Sequence, residues 1–152
     1  MTSWRDTASA QAQADYDTLL DAVLGFAQQL LTTSGEFYPF AAAIRTDGKA
    51  EMVAARPNPD DEHPRSDDVI AATIARLINQ RDHIRACAIV ADVRLTDVAD
   101  VRLTERDAIR VDLEHAEGHA LTILLPYAKK RLGRKIRFGQ LRAQAGERRL
   151  WT

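Results

Sequence analysis

Apolar residues first recur at helical spacing and then at every second position, and this change divides the chain into elements. From about Ala8 to Thr32 the residues Tyr16, Leu19, Leu20, Val23, Ala27, Leu30 and Leu31 form one stripe of an amphipathic helix. Thr7 or Ser9 is placed to cap it and Gly35 to end it. Its alanine-rich start, Ala8 to Ala14, has little to bury and is expected to fray or to meet a partner. Between Pro39 and Ala55 the spacing becomes two. With Thr46, Asp47 and Gly48 as a loop, Phe40, Ala42 and Ile44 face Ala54, Met52 and Ala50, which predicts a β-hairpin with one apolar face. Its small alanines point to close approach of a helix or a second sheet surface.

A polar, proline-punctuated loop follows, Arg56 to Arg65. Its acids Asp60, Asp61 and Glu62 are consecutive and lack the alternation and glycine of a calcium loop, so a solvated loop is the plainer reading. Ser66 is then expected to cap a second helix that buries Val69, Ile70, Thr73, Ile74, Leu77 and Ile78. A strand from about Arg85 to Leu95, continuously apolar from Ala86 to Ala91, belongs in the middle of a sheet. The repeated Ala-Asp-Val-Arg-Leu-Thr at 91–96 and 99–104 is too short for a repeat fold, and its second copy reads as a connection or strand extension. A second hairpin spans Ile109 to Leu125; beyond it Pro126 interrupts pairing, and Lys135 to Leu141 is suited to an added edge strand. The expectation is one α+β domain over residues 1–152, in the order α-β-β-α-β-β-β, with an antiparallel sheet of about five strands and a basic C-terminal segment at 126–152.

The second hairpin carries the strongest candidate chemistry. If Ala116, Glu117 and Gly118 form a bulged turn, Leu113, Val111 and Ile109 oppose Leu121, Ile123 and Leu125, and His115 faces His119 at the rim of the apolar face. Two imidazoles so placed could share a metal ion or a proton, and His115 and His119 are the candidate metal ligands. Zinc needs a third protein ligand. Glu117 is near, Glu114 should point to the opposite face, and His63, His83 or Cys87 could contribute only by tertiary coincidence. The His-x-x-x-His spacing imitates a zincin helix, yet Ala116 stands where that motif needs glutamate, and the segment reads as strand. A structural pair at a hairpin tip is the plainer reading.

Composition narrows the alternatives. The 152 residues contain one cysteine, Cys87, in a strand-like apolar setting, which excludes an internal disulfide and fits a cytoplasmic protein with a buried thiol. The polar N-terminus has no signal-peptide core and no run reaches membrane-spanning length. Net charge is −1, but from Pro126 onward nine cations stand against Glu147 alone, a net +8 that leaves −9 on the rest. Lys129, Lys130, Arg131, Arg134 and Lys135 are therefore candidate partner-binding residues. An acidic surface of this chain or of a second subunit suits them better than nucleic acid, whose non-specific binders carry an overall positive balance and interleaved aromatics. No Gly-rich phosphate loop, nucleophile elbow or cysteine zinc motif is present, and no cofactor is expected.

Two resemblances add to this reading. The order helix, hairpin, helix, strand, hairpin, tail is similar in topology to roadblock and profilin-like domains; roadblock-type domains commonly dimerise and act as scaffolds for switch proteins, so the resemblance implies a homodimer that binds another protein. The residues Gly35-Glu36-Phe37-Tyr38-Pro39-Phe40, Asp47-Gly48, Asp107-Ala108-Ile109-Arg110-Val111, Glu114-His115, Gly118, Pro126-Tyr127 and Phe138-Gly139 resemble an uncharacterised family of small bacterial proteins. That resemblance implies a stand-alone domain and carries over no catalytic residue. A non-enzymatic binding or scaffold domain is thus the leading expectation, with a metal-binding or hydrolytic enzyme using His115 and His119, and nucleic-acid binding through the basic segment, as the alternatives.

Overall fold

The computed structural model describes residue 5 and residues 8–55, 57–58, 60–95, 106–129 and 135–152. Among these residues two helices flank an antiparallel sheet: α1 (Ala10–Ser34), β1 (Phe40–Arg45), β2 (Ala50–Val53), α2 (Ser66–Asn79), β3 (Ile84–Arg94), β4 (Asp107–His115), β5 (Ala120–Lys129), β6 (Ile136–Phe138) and β7 (Arg142–Ala145). The sheet runs β2-β1-β3-β4-β5, and both β6 and β7 pair with the outer edge of β5. The fold is α+β, with seven strands among the described residues in place of the expected five or so. The second copy of the repeated hexapeptide, at 99–104, lies outside the described residues.

Each face of the sheet has its own core. On one, α1 lays Tyr16, Leu19, Val23, Ala27 and Leu31 against Ala42, Ile44, Ala88, Val90, Val111 and Ile123. On the other, Leu77 of α2 and Leu150 of the C-terminal segment pack against Ala41, Ala43, Cys87 and Ile89. β1 and β3 are thus covered on both sides, and the alanines of β1 let the two helices approach the strand closely. Helix α1 begins at Ser9, whose hydroxyl accepts the Ala12 N–H at 3.1 Å, and ends at Gly35, which takes φ 80°. The start of α2 departs from expectation: Ser66 is already helical, and Arg65 at the cap position makes no side-chain bond.

Both hairpins adopt the register that the apolar alternation implies. Ala42 pairs with Met52 and Ile44 with Ala50; Leu113 pairs with Leu121, Val111 with Ile123 and Ile109 with Leu125. In each turn a glycine with positive φ, Gly48 or Gly118, closes a bond to the residue three positions earlier, Arg45 or His115. Pro126 corrects the expectation that pairing stops there, since β5 continues to Lys129 with Pro126 opposite Ala108. The His115 N–H bond to His119 O sets the alternation of bonded pairs, so the backbone of Pro126 faces the outer edge, where its carbonyl accepts the Gly139 N–H at 2.7 Å. Having no N–H to offer there, Pro126 marks the break between β6 and β7.

After β7 the chain turns back over the sheet. At Gly146 an added Cβ would stand 2.8 Å from the Leu121 nitrogen and 2.9 Å from its carbonyl carbon, so only glycine fits this crossing. Gly146→Ala should therefore destabilise the fold by about 1–3 kcal/mol and loosen the C-terminal segment, read as a lower denaturant midpoint together with faster amide exchange at Leu150.

Candidate functional site

The tip of the β4–β5 hairpin is held by the first turns of α1. The Ser9 hydroxyl that caps α1 donates to the Glu117 carboxylate at 2.7 Å, and the Tyr16 hydroxyl donates to His119 O at 2.8 Å. Ala12 is fully buried. The alanine-rich start of α1, expected to fray or to meet a partner, is instead docked on its own chain, because Ser9 and Tyr16 bond to the hairpin turn.

Beneath this contact lies a cluster centred on Asp15, 4% exposed. Arg85 donates to it twice, Nε to Oδ2 and Nη2 to Oδ1, both at 3.0 Å, and His115 Nε2 lies 2.9 Å from Oδ2. The other ring nitrogen of His115, Nδ1, accepts the Glu117 N–H at 3.2 Å. With Nδ1 an acceptor, Nε2 carries the proton and donates to Asp15. The Tyr16 ring stands edge-on to the imidazole at a centroid distance of 6.0 Å, and burial pushes the Tyr16 phenol up from its ordinary pKa. A bulge aims Arg85 into the cluster: β1 pairs Ile44 with Ala86 but Arg45 with Ile84, leaving Arg85 as the extra residue.

Both candidate histidines are thus at the tip, in different states. His115 is 2% exposed with both ring nitrogens bonded within the protein. His119 is partly exposed and takes part through its backbone carbonyl, which accepts from His115 N–H and from Tyr16. Among the described residues no group of three His, Cys, Asp or Glu side chains is arranged to hold a metal ion. Glu114 points to the opposite face, where its buried carboxylate accepts three successive N–H groups of the C-terminal segment, Arg149 at 2.8 Å, Leu150 at 2.9 Å and Trp151 at 2.7 Å. Arg149 also approaches Asp112 at 3.5 Å, so part of the basic segment docks on its own acidic body. Lys129 and Lys135 are exposed at the end of the outer edge; Lys130, Arg131 and Arg134 lie outside the described residues.

Sequence reasoning missed Asp15 and Arg85. The first had a usable signal, since Asp15 stands four residues before Leu19 and eight before Val23, a charge on the buried stripe that demands a buried partner. A bulge leaves no comparable signal, so nothing marked Arg85. Cys87 is buried, and burial together with nearby Glu114 pushes its thiol up, the reverse of what a nucleophile needs. Asp61 caps its own loop by accepting the His63 N–H.

The other end of the sheet holds a second polar contact, in which the Tyr127 hydroxyl donates to Asp92 at 2.5 Å. Burial raises the Asp92 pKa, opposed by the Tyr127 bond and by Lys129 and reinforced by Asp107 and Glu36. A carboxyl raised in the folded state contributes stability below its unfolded pKa and loses it as pH rises through the folded one. Asp92→Asn keeps an acceptor for Tyr127 without the charge. It should raise the melting temperature at pH 7 by about 1–3 °C, and the gain should vanish near pH 3.5, where wild-type Asp92 is itself protonated; calorimetry at the two pH values checks this.

An apolar recess of about 350 Å³ opens elsewhere, lined by Phe26, Phe40, Met52, Val53 and Ala54 between α1 and the β2 edge of the sheet. Phe26 is 42% exposed and Met52 52%. No helix among the described residues is long and apolar enough to cross a membrane. Among the described residues, fold and site define an α+β domain with an antiparallel sheet, a charge cluster at a hairpin tip and an apolar recess beside the β2 edge. No protein-family model, no curated protein and no solved structure matches the chain.

Proposed function

We propose that this chain is a binding or scaffold domain that works through protein–protein contacts and self-associates, with the β2 edge as its contact surface. The observation that carries this reading is the pairing of an apolar recess with a strand edge: large side chains, Phe26 and Met52, stand exposed beside a strand that, among the described residues, pairs with another strand on one side only. The groups that could do chemistry point the same way. His115 and Asp15 spend their hydrogen-bonding capacity on each other, on Arg85 and on the turn, and Cys87 is buried. The topological resemblance to roadblock-type scaffolds adds weight without naming a partner.

A photo-cross-linking residue at position 52 tests this, with Gln144 on the opposite sheet edge as the control position. In living cells position 52 should yield protein adducts and position 144 none. Absence of adducts at 52, or equal labelling at both positions, would remove the β2 edge from the account.

A further inference from the structure

The two helices are held to the sheet in different ways. Helix α1 is pinned by directional bonds through Ser9, Asp15 and Tyr16. Helix α2 buries Val69, Thr73 and Leu77. The Thr73 hydroxyl turns back on its own helix, donating to Val69 O, and Arg65 at the cap position makes no side-chain bond. Among the described residues, the one side-chain hydrogen bond from α2 to another part of the chain is that of Arg76, which donates to Ala54 O just beyond β2. The rest of its attachment is apolar. Leu77, with Ile74 and Ile78 beside it, packs in the cluster that holds Val53, Cys87, Ile89 and Leu150.

Residues 147–152 complete that cluster without belonging to the sheet. They follow β7, whose four residues are all exposed, and among the described residues they pair with no strand. Their bonds to the rest of the chain converge on one side chain: the N–H groups of Arg149, Leu150 and Trp151 all go to Glu114, and the Arg149 guanidinium adds its contact with Asp112. A carboxylate suits such a latch. Closed, its oxygens are satisfied by three N–H groups; open, the departing segment admits water to the same oxygens, so release leaves no buried charge unpaired. Asp15 has no such exit, because its partners belong to β3 and β4.

We infer that residues 147–152 are a releasable strap, and that lifting it from Glu114 loosens α2 and withdraws Arg76 from the β2 edge. The inference rests on the binding reading above and supplies the control of that surface. Arg45 N–H donates to Lys49 O at 2.8 Å, and bonded and non-bonded pairs alternate along an antiparallel ladder, so the backbone of Ala54 faces away from β1. An added strand needs that carbonyl, and a long cation seated on it protects the edge. With the strap in place Leu77 packs in a filled cluster and Arg76, next to it in the chain, is held over Ala54 O. With the strap off, Leu77 loses the Leu150 side chain and α2 keeps its apolar contacts with β1 and β3 alone.

Cys87, the one cysteine of the chain, reports the state of the strap: it is buried opposite Glu114, in the same cluster as Leu150. In the full-length wild type its reaction with a soluble disulfide reagent should proceed through a local opening, with a urea dependence below about half that of global unfolding. Leu150→Asp should raise the labelling rate at least about 100-fold and speed amide exchange in α2, while exchange in α1 stays slow. Wild-type labelling that tracks global unfolding, which needs no substitution to detect, would overturn the strap. A folded variant in which α2 exchanges as slowly as in the wild type, or in which α1 loosens as much as α2, would do the same. Photo-cross-linking at position 52 should yield several-fold more adducts in Leu150→Asp than in the wild type. Unchanged adducts beside a loosened α2 would overturn the control of the edge and leave the binding reading standing. No adducts in either protein would overturn the binding reading and the edge control with it, while Cys87 labelling still decides the strap.

Discussion

The Asp15 carboxylate accepts two hydrogen bonds from Arg85 and one from His115, and the arrangement of α1 on the sheet depends on that buried junction. A carboxylate this deeply enclosed costs several kcal/mol in lost hydration unless charge and hydrogen bonds compensate it. Arg85 supplies the opposite charge from a bulge in β3, and His115 supplies a neutral donor from the end of β4. Three elements far apart in sequence are thereby held at one point. Ser9 on Glu117 and Tyr16 on His119 add contacts around it, so the hairpin turn and the first turns of α1 constrain each other. Apolar burial alone would let α1 slide along a sheet face lined by alanine, valine and isoleucine; a buried charge with directional partners fixes its position.

A second buried carboxylate does the same work on the other face. Glu114, next to His115 in the chain, points the opposite way because side chains alternate along a strand. Its oxygens collect the N–H groups of Arg149, Leu150 and Trp151, and Leu150 is thereby placed in the core beneath α2. The end of one strand thus anchors the first helix on one face and the C-terminal segment on the other. The histidine and acids that drew attention as candidate chemistry are the groups that close the fold.

Much of this architecture was legible beforehand, for local reasons. Gly48 and Gly118 combine with strict apolar alternation to leave one acceptable register for each hairpin, since a one-residue slip would expose the core side chains. The stripe from Tyr16 to Leu31 and the unbroken apolar run of β3 likewise depend only on neighbouring residues. What escaped depended on distant ones. The docked start of α1 needs Glu117, the aim of Arg85 needs a bulge against Arg45, and the split of the outer edge into β6 and β7 needs the missing N–H of Pro126 two strands' length earlier. The hairpin tip was correctly singled out as a place where polar groups gather, but whether such a gathering supports the fold or performs chemistry depends on partners that no spacing rule supplies.

The state of the His115 ring tests this account most directly. Long-range proton–nitrogen correlation spectra of the full chain, recorded before and after addition of stoichiometric zinc, distinguish a bonded strut from a metal ligand. The expected result is a neutral ring protonated at Nε2, with Nδ1 as acceptor, and no change in either nitrogen when zinc is added. A ring protonated at Nδ1, or nitrogen signals that move on zinc binding, would contradict the structural role given to the cluster and return the hairpin tip to the centre of the protein's function.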